Sequence, residues 1–273
     1  MNLLRVRPFA CSLFFLAMSA FTVAETPAKP YSSLFVFGDS YSDTGASYVD
    51  SDGPTAVSYL AQELKIPFTY FGDLKSEGKS LNFAQSGATT VQMQKQVDRF
   101  VKLVQSGKLT FDPQKAMFFF AGGLNDNKLP AGTSTDKNIE GEIETLYALG
   151  ARRFMVAILP TKIPAFAKQG EQFNPLLATV PQDMRLKHAD IEIRNSKWGA
   201  FFDFVVEHPE KYGITDTQNR CAGRAIKHED PTPCPNPEAH FYFHTHHPST
   251  ATHRAVGHML YQEAMGADPF ASN

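Results

Sequence analysis

The sequence predicts an α/β fold, a mostly parallel sheet with helices on both faces. Three observations carry this. Short apolar runs stopped by glycine or proline alternate with segments of helical spacing. The runs are continuous rather than alternating, as in strands buried on both sides. Three of them lead into Gly-containing loops, which would gather at one rim of the sheet, beyond the C-terminal strand ends.

Taken in order, Leu34–Phe37 is a buried strand ending at Gly38. Thr55–Leu64 places Val57, Leu60, Ala61 and Leu64 at helical spacing, and Leu81–Ala84 is a second short strand near Gly87. Thr90–Ser106 is a helix with Val91, Val97, Val101 and Val104 on one broad face, closed by Gly107. Ala116–Ala121 is a strand before Gly122-Gly123, and Asn138–Leu149 a helix ending at Gly150. Phe154–Leu159 is a strand stopped by Pro160. Pro160–Pro181 reads as a long irregular stretch, a lid or substrate loop. Asp183–Ala200 reads as a weaker helix, Phe201–Val205 as a strand and Ser249–Met265 as a C-terminal helix.

With 42% apolar and 20% charged residues, the chain has ordinary globular composition. The formal net charge is -2, with no Lys/Arg run beyond the first few residues, so no nucleic-acid partner is expected. Residues 1–24 read as a cleaved export signal: Arg5 and Arg7, an apolar stretch from Phe9 to Phe21, then Thr22-Val23-Ala24. The stretch is short for a membrane span. The expected address is therefore secreted or periplasmic, with residues 25–273 forming one domain. Cys221 and Cys234 are the cysteines left after cleavage. In an oxidising compartment they are expected to bridge, stabilising the Pro-rich loop between them by ~3 kcal/mol.

The rim loops carry the chemistry. Ser40 follows the first strand directly, and a nucleophilic serine needs a base, usually histidine. The best candidates lie far along the chain, in His244-Thr245-His246-His247-Pro248. An attacked carbonyl also needs donors for its oxyanion. Gly87 offers a backbone N–H and Asn125 a side-chain amide.

This set resembles the SGNH hydrolases, or GDSL lipase/esterase family. Phe37-Gly-Asp-Ser40-Tyr-Ser-Asp43-Thr-Gly45 is similar to the first family block, and Asn82-Phe-Ala-Gln-Ser-Gly87 to the second. Gly123-Leu-Asn125-Asp126 is similar to the third and His247-Pro248-Ser249 to the last. Leu159-Pro-Thr-Lys-Ile-Pro164 and His208-Pro-Glu-Lys-Tyr-Gly213 also fit, leaning towards the lipase/acyltransferase-like branch. The resemblance implies a flavodoxin-like three-layer sandwich and a serine esterase working through an acyl-enzyme without a cofactor or metal. Its residues would be Ser40 as nucleophile, His247 as base, and Ser40, Gly87 and Asn125 as oxyanion donors. Asp39 and Asp43 would brace the Ser40 turn.

One position departs from the family. Where an Asp would stand three residues before the histidine, this chain has His244. Loss of that carboxylate function costs up to ~10⁴ in rate in serine hydrolase triads. A main-chain carbonyl, a water or His244 itself can orient His247 instead, or a distant acid such as Glu238. The crowding of His240, His244, His246, His247, His253 and His258 also raises a metal site, though HExxH is absent. The leading expectation is a secreted esterase or lipase. A carbohydrate O-acetylesterase or phospholipase/acyltransferase on the same scaffold is the alternative. A non-catalytic binding protein on a decayed scaffold, and a metal-dependent hydrolase, are the readings from other classes.

Overall fold

The computed structural model describes residues 30–73 and 80–271. The export signal expected over residues 1–24 lies outside them. The element order is β1 (Ser33–Gly38), α1 (Ala56–Glu63), β2 (Thr69–Tyr70), β3 (Leu81–Asn82), α2 (Thr90–Gln105), β4 (Ala116–Ala121), α3 (Thr135–Ala148), β5 (Arg153–Ala157), α4 (Ala167–Leu177), α5 (Val180–Lys187), β6 (Glu192–Ser196), α6 (Trp198–Glu207), β7 (Asp216–Arg220), β8 (His240–His244), β9 (His247–Pro248) and α7 (Thr250–Ala264). Six strands form one parallel sheet in the order β2-β3-β1-β4-β5-β6. Helices α1, α6 and α7 pack together as one layer, and α2 to α5 as the other. The expected three-layer α/β sandwich is the fold observed. A small second sheet, β7-β8-β9, pairs β7 with β8 in parallel and β8 with β9 antiparallel.

The central strands β1 and β4 are buried along their whole length, which is why they read as unbroken apolar runs. Phe35, Phe37, Phe118 and Phe83 meet Phe100 of α2 at ring distances of 4.9 to 6.1 Å, mostly edge-on. β1 and β4 approach so closely at their ends that a Cβ on Gly38 would lie 2.6 Å from the Ala121 carbonyl oxygen.

Four expectations need correction. Val91 of α2 is half exposed; the buried stripe is Met93, Gln96, Val97 and Phe100, because β1 presents phenylalanines to that side. The stretch 160–181 is not irregular: α4 occupies 167–177 and tolerates Pro175. The helix expected over 183–200 is instead the end of α5, then strand β6, then the start of α6. β6 is an edge strand whose sequence Glu-Ile-Arg-Asn-Ser buries only Ile193 and Ser196, so it shows no apolar run. Phe201–Val205 lies in α6, where Trp198, Phe201, Phe202 and Val205 are buried at helical spacing.

Helix α1 begins without a side-chain cap from Thr55. Instead the Nδ1 of His253, on α7, accepts the Ala56 N–H at 3.3 Å. That bond requires a neutral ring, and burial pushes the His253 pKa down to about 3. The unfolded chain therefore binds the extra proton between about pH 6.5 and 3, and stability falls as pH drops through that window. We expect this histidine to cost up to ~1.4 kcal/mol per pH unit there. His253→Asn, which keeps an acceptor near the Nδ1 position, should flatten the fall of thermal midpoint between pH 6.5 and 4.5. An equally steep fall in both proteins would assign the acid sensitivity elsewhere.

Candidate active site

Ser40 sits just beyond β1, at the sheet rim where the loops after β3 and β4 also end. Gln96 of α2 fixes the strand end, its Oε1 accepting the Gly38 N–H at 2.9 Å and its Nε2 donating to the Gly38 carbonyl at 2.8 Å. The chain then turns tightly, with the N–H groups of Ser42 and Asp43 both donating to the Asp39 carbonyl at 3.0 Å. Asp39 is fully buried and accepts the Tyr41 N–H at 3.2 Å. Burial, with Asp126 nearby, pushes its carboxyl up to about 7 against that hydrogen bond.

The Ser40 Oγ lies 2.9 Å from Nε2 of His247, a contact between residues 207 apart in sequence. The other ring nitrogen, Nδ1, donates to the Thr245 carbonyl at 2.9 Å. Three devices hold this histidine. His244 and His247 pair across the β8-β9 hairpin, and His246 takes the left-handed conformation at φ 62° to close its turn. Ser249 caps α7, accepting the Thr252 N–H at 3.4 Å, and donates from Oγ to the His240 carbonyl at 2.6 Å. The hydroxyl of Tyr41, next to the serine, donates to the His246 carbonyl at 2.7 Å and ties the two loops together. Burial pushes the His247 pKa below its ordinary value, against the opposing pull of Asp50 and the Thr245 carbonyl. At neutral pH the ring is an unprotonated base.

Neither acid-side candidate touches the His247 Nδ1. Glu238 pairs with Arg254 on the surface at 3.0 Å. His244 turns to Asp50, its Nδ1 donating to Oδ1 at 3.2 Å. The carboxylate closest to the histidine is Asp50, with Oδ2 at 3.5 Å from the His247 Nε2. Asp50 is buried and held from several sides. Arg224 donates from Nη2 to Oδ2 at 2.9 Å, while its Nε makes an ion contact with Oδ1 at 2.6 Å without hydrogen-bond angles. The Ser86 hydroxyl donates to Oδ2 at 3.0 Å. Burial alone would raise this carboxyl, but the His244 hydrogen bond, the pull of His247 once protonated, the Arg224 charge and the Ser86 hydrogen bond hold it below its ordinary value. Asp50 and Arg224 were not legible as site residues. Asp50 lies in a loop 10 residues past the serine with no flanking element, and Arg224 is one basic residue in the loop between the cysteines.

The second rim loop is fixed by Asp43. Its carboxylate accepts the N–H groups of Gly45, Ala46 and Tyr48, and that of Ser86 at 2.7 Å. It therefore braces the Ser86-Gly87 loop as well as its own turn. Gly87 has φ +82°, which a side chain would strain although open space surrounds it. On the third loop, Asn125 donates from Nδ2 to the Ala88 carbonyl at 3.1 Å and accepts from Lys128 at 2.7 Å. Asp126 bridges the starts of two helices, accepting Thr90 N–H and hydroxyl at 2.8 and 2.6 Å and the Thr135 hydroxyl at 2.7 Å. A carboxylate at the N-terminus of α2 also suits the helix dipole. Ser40, Asn125 and His247 share a cleft of about 590 Å³ with Leu124, Lys128, Phe166, Gln169 and Arg224.

The family model for GDSL-like Lipase/Acylhydrolase matches residues 34–260. The chain belongs to this family. A GDSL esterase/lipase from Arabidopsis thaliana is 19% identical over 311 residues, covering 80% of this chain and 81% of the relative. A second from the same plant is 24% identical over 153 residues, covering 47% and 42%. Among solved structures, a Bacillus subtilis protein aligns with a TM-score of 0.51 at 12% identity, over 88% of this chain and 58% of that one. A lipolytic G-D-S-L family protein from Desulfitobacterium hafniense aligns at 0.47 and 12%, over 85% and 98%. Family membership makes the protein a hydrolase of ester bonds.

In this GDSL-family chain the histidine cluster disperses. His253 is buried under α1, His258 faces Glu63 at 3.0 Å, and the His240 Nδ1 meets the Asn219 carbonyl at 3.3 Å. Among the described residues no three His, Cys, Asp or Glu side chains converge to hold a metal. Cys221 and Cys234 are bridged, with Arg224 inside the closed loop. Tyr41 is packed against Phe166, Trp198 and Phe202, and Phe71 stacks on Phe83. Tyr48 stacks on His244.

The Tyr41 hydroxyl has one identifiable task, holding the His246 carbonyl. Tyr41→Phe should lower unfolding free energy by about 1 kcal/mol, from one lost buried hydrogen bond. It should also lower kcat about tenfold, because about one ångström of misplacement in a reacting group costs up to ~10². Urea denaturation and ester turnover measure the two effects, and loss of stability with unchanged turnover would leave the bond a purely structural role.

Proposed function

We propose that the protein is an exported serine esterase that uses Ser40 as nucleophile and His247 as general base and acid. One observation carries the reading: the 2.9 Å contact between the Ser40 Oγ and the His247 Nε2, with Nδ1 committed to the Thr245 carbonyl. With Nδ1 protonated, the Nε2 lone pair faces the serine hydroxyl. As Oγ bonds to the ester carbonyl carbon, its proton passes to Nε2 and the carbonyl electrons move onto oxygen. The N–H groups of Ser40 and Gly87, with the second Nδ2 proton of Asn125, serve as oxyanion donors. Collapse breaks the bond to the alcohol oxygen, which takes the proton from Nε2. Water repeats the sequence on the acyl-serine and releases the acid. Residues 1–24 act as the cleaved export signal, and residues 25–273 work as one domain.

The mixed lining of the cleft suits a short acyl group on a polar alcohol. Its apolar lining is Leu124, Ala165 and Phe166, whereas Asn127, Lys128, Gln169, Arg224, Lys227 and Glu229 supply polar walls.

Turnover of p-nitrophenyl esters of increasing chain length tests both statements. Ser40→Ala and His247→Gln should each lose at least ~10³ in kcat, and Asn125→Ala about 10²–10³. Rates should peak at acetate to butyrate. Full activity in Ser40→Ala would overturn the nucleophile, and a peak at long chains would overturn the substrate class.

A further inference from the structure

The residue at 244 cannot supply the negative charge that a serine hydrolase places behind its histidine, yet a buried carboxylate lies beside the ring. We propose that Asp50, held by Arg224, His244 and Ser86, is the positioning residue that stabilises the protonated form of His247 during catalysis, from the Nε2 side of the ring. The inference rests on the Ser40–His247 reading above and adds the source of the counter-charge.

Four features support it. The Oδ2 of Asp50 is 3.5 Å from the His247 Nε2, close enough for strong attraction once that nitrogen is protonated. The carboxylate is 1% exposed, so water screens it little. It stays ionised, because the His244 hydrogen bond and the nearby positive charges outweigh burial. Its aim is fixed by Arg224 on both oxygens, by His244 on Oδ1 and by Ser86 on Oδ2. A second effect follows from position. Ser86 precedes Gly87, so Asp50 also fixes the approach of that loop.

The division of labour differs from a triad in which one carboxylate both orients and charges the histidine. Here the Thr245 carbonyl orients the ring through Nδ1, and Asp50 supplies charge on the other side. Arg224 tempers that charge through its contacts with both carboxylate oxygens. The charged and titratable groups around His247 are Asp50, Arg224, His244, His253 and Tyr41, whose ring lies 5.8 Å from the imidazole and which burial keeps protonated. Asp50 favours its protonated form, whereas Arg224 and His244 oppose it.

The test begins with wild type and Ser40→Ala treated with a fluorophosphonate probe, one label per wild-type chain and none in the variant. Failure there defeats the Ser40 reading itself. With labelling established, Asp50→Asn is compared with wild type, rates being normalised to labelled sites and folding checked by circular dichroism. We expect kcat to fall about 100-fold with KM within about threefold, in line with the size of general acid–base effects. We expect the acidic limb of kcat/KM to move to lower pH, since the charge that favours protonated His247 is gone. Asp50→Glu, with a displaced carboxylate, should lie between the two proteins in both readouts. A folded Asp50→Asn with an unmoved limb overturns the proposal, because a purely structural residue lowers rate without moving that limb. Should Asp50→Asn fail to fold, Asp50→Ser carries the test: a folded variant without the carboxylate that matches wild type in kcat and limb overturns it.

Discussion

A hydrogen bond from the His247 Nδ1 to the Thr245 carbonyl determines what the site can do. A neutral imidazole has one donor and one acceptor nitrogen, so committing Nδ1 as donor leaves the Nε2 lone pair for the Ser40 hydroxyl. The acceptor is only two residues from the ring, and its position is set by backbone geometry. Thr245 and His246 form the tip of the β8-β9 hairpin, with His246 in the left-handed region. An orienting group built from the main chain cannot be lost by a side-chain substitution, only by breaking the turn. The Tyr41 bridge to His246 and the Ser249 cap on α7 restrain that turn from both ends.

The serine side depends on a different device, buried polar side chains that connect separate loops. Gln96 holds both backbone groups of Gly38, Asp43 reaches the Ser86 N–H, and Asp126 joins the starts of α2 and α3 behind Asn125. Each satisfies backbone or hydroxyl donors that would otherwise be buried without partners, at a cost of about 1–3 kcal/mol apiece. The same bonds that make the rim stable therefore set its geometry. A parallel sheet makes this economical, because all its strands release their loops at one edge and short side chains can span the gaps.

Legibility in the sequence followed burial on two faces. β1 and β4 announce themselves because no residue in them meets water, and α2 and α7 because glycine or serine marks an end. β6 did not, since an edge strand with one buried aliphatic looks like any polar segment, and its partner β5 supplies the pairing energy. The aromatic run of α6 suggested a strand by propensity, and packing against α7 overrode it. Ser40, Gly87, Asn125 and His247 stand out as candidates because each lies in a loop or hairpin next to a recognisable element. Asp50 and Arg224 do not, since they come from loops whose meeting depends on the whole fold.

The histidine at 244 and the carboxylate at 50 explain one another. Asp50 accepts a hydrogen bond from His244 at 3.2 Å, so an aspartate at 244 would place a second carboxylate against the first. Two buried carboxylates in such contact cannot both stay ionised at low cost, and one would take up a proton. A histidine avoids that conflict and supplies a donor besides. Arg224 completes the balance, and the Cys221–Cys234 bridge constrains the loop from which it reaches Asp50. Asp50, His244, Arg224 and the disulfide loop thus form one electrostatic unit, and changing any member alters the charge that His247 experiences.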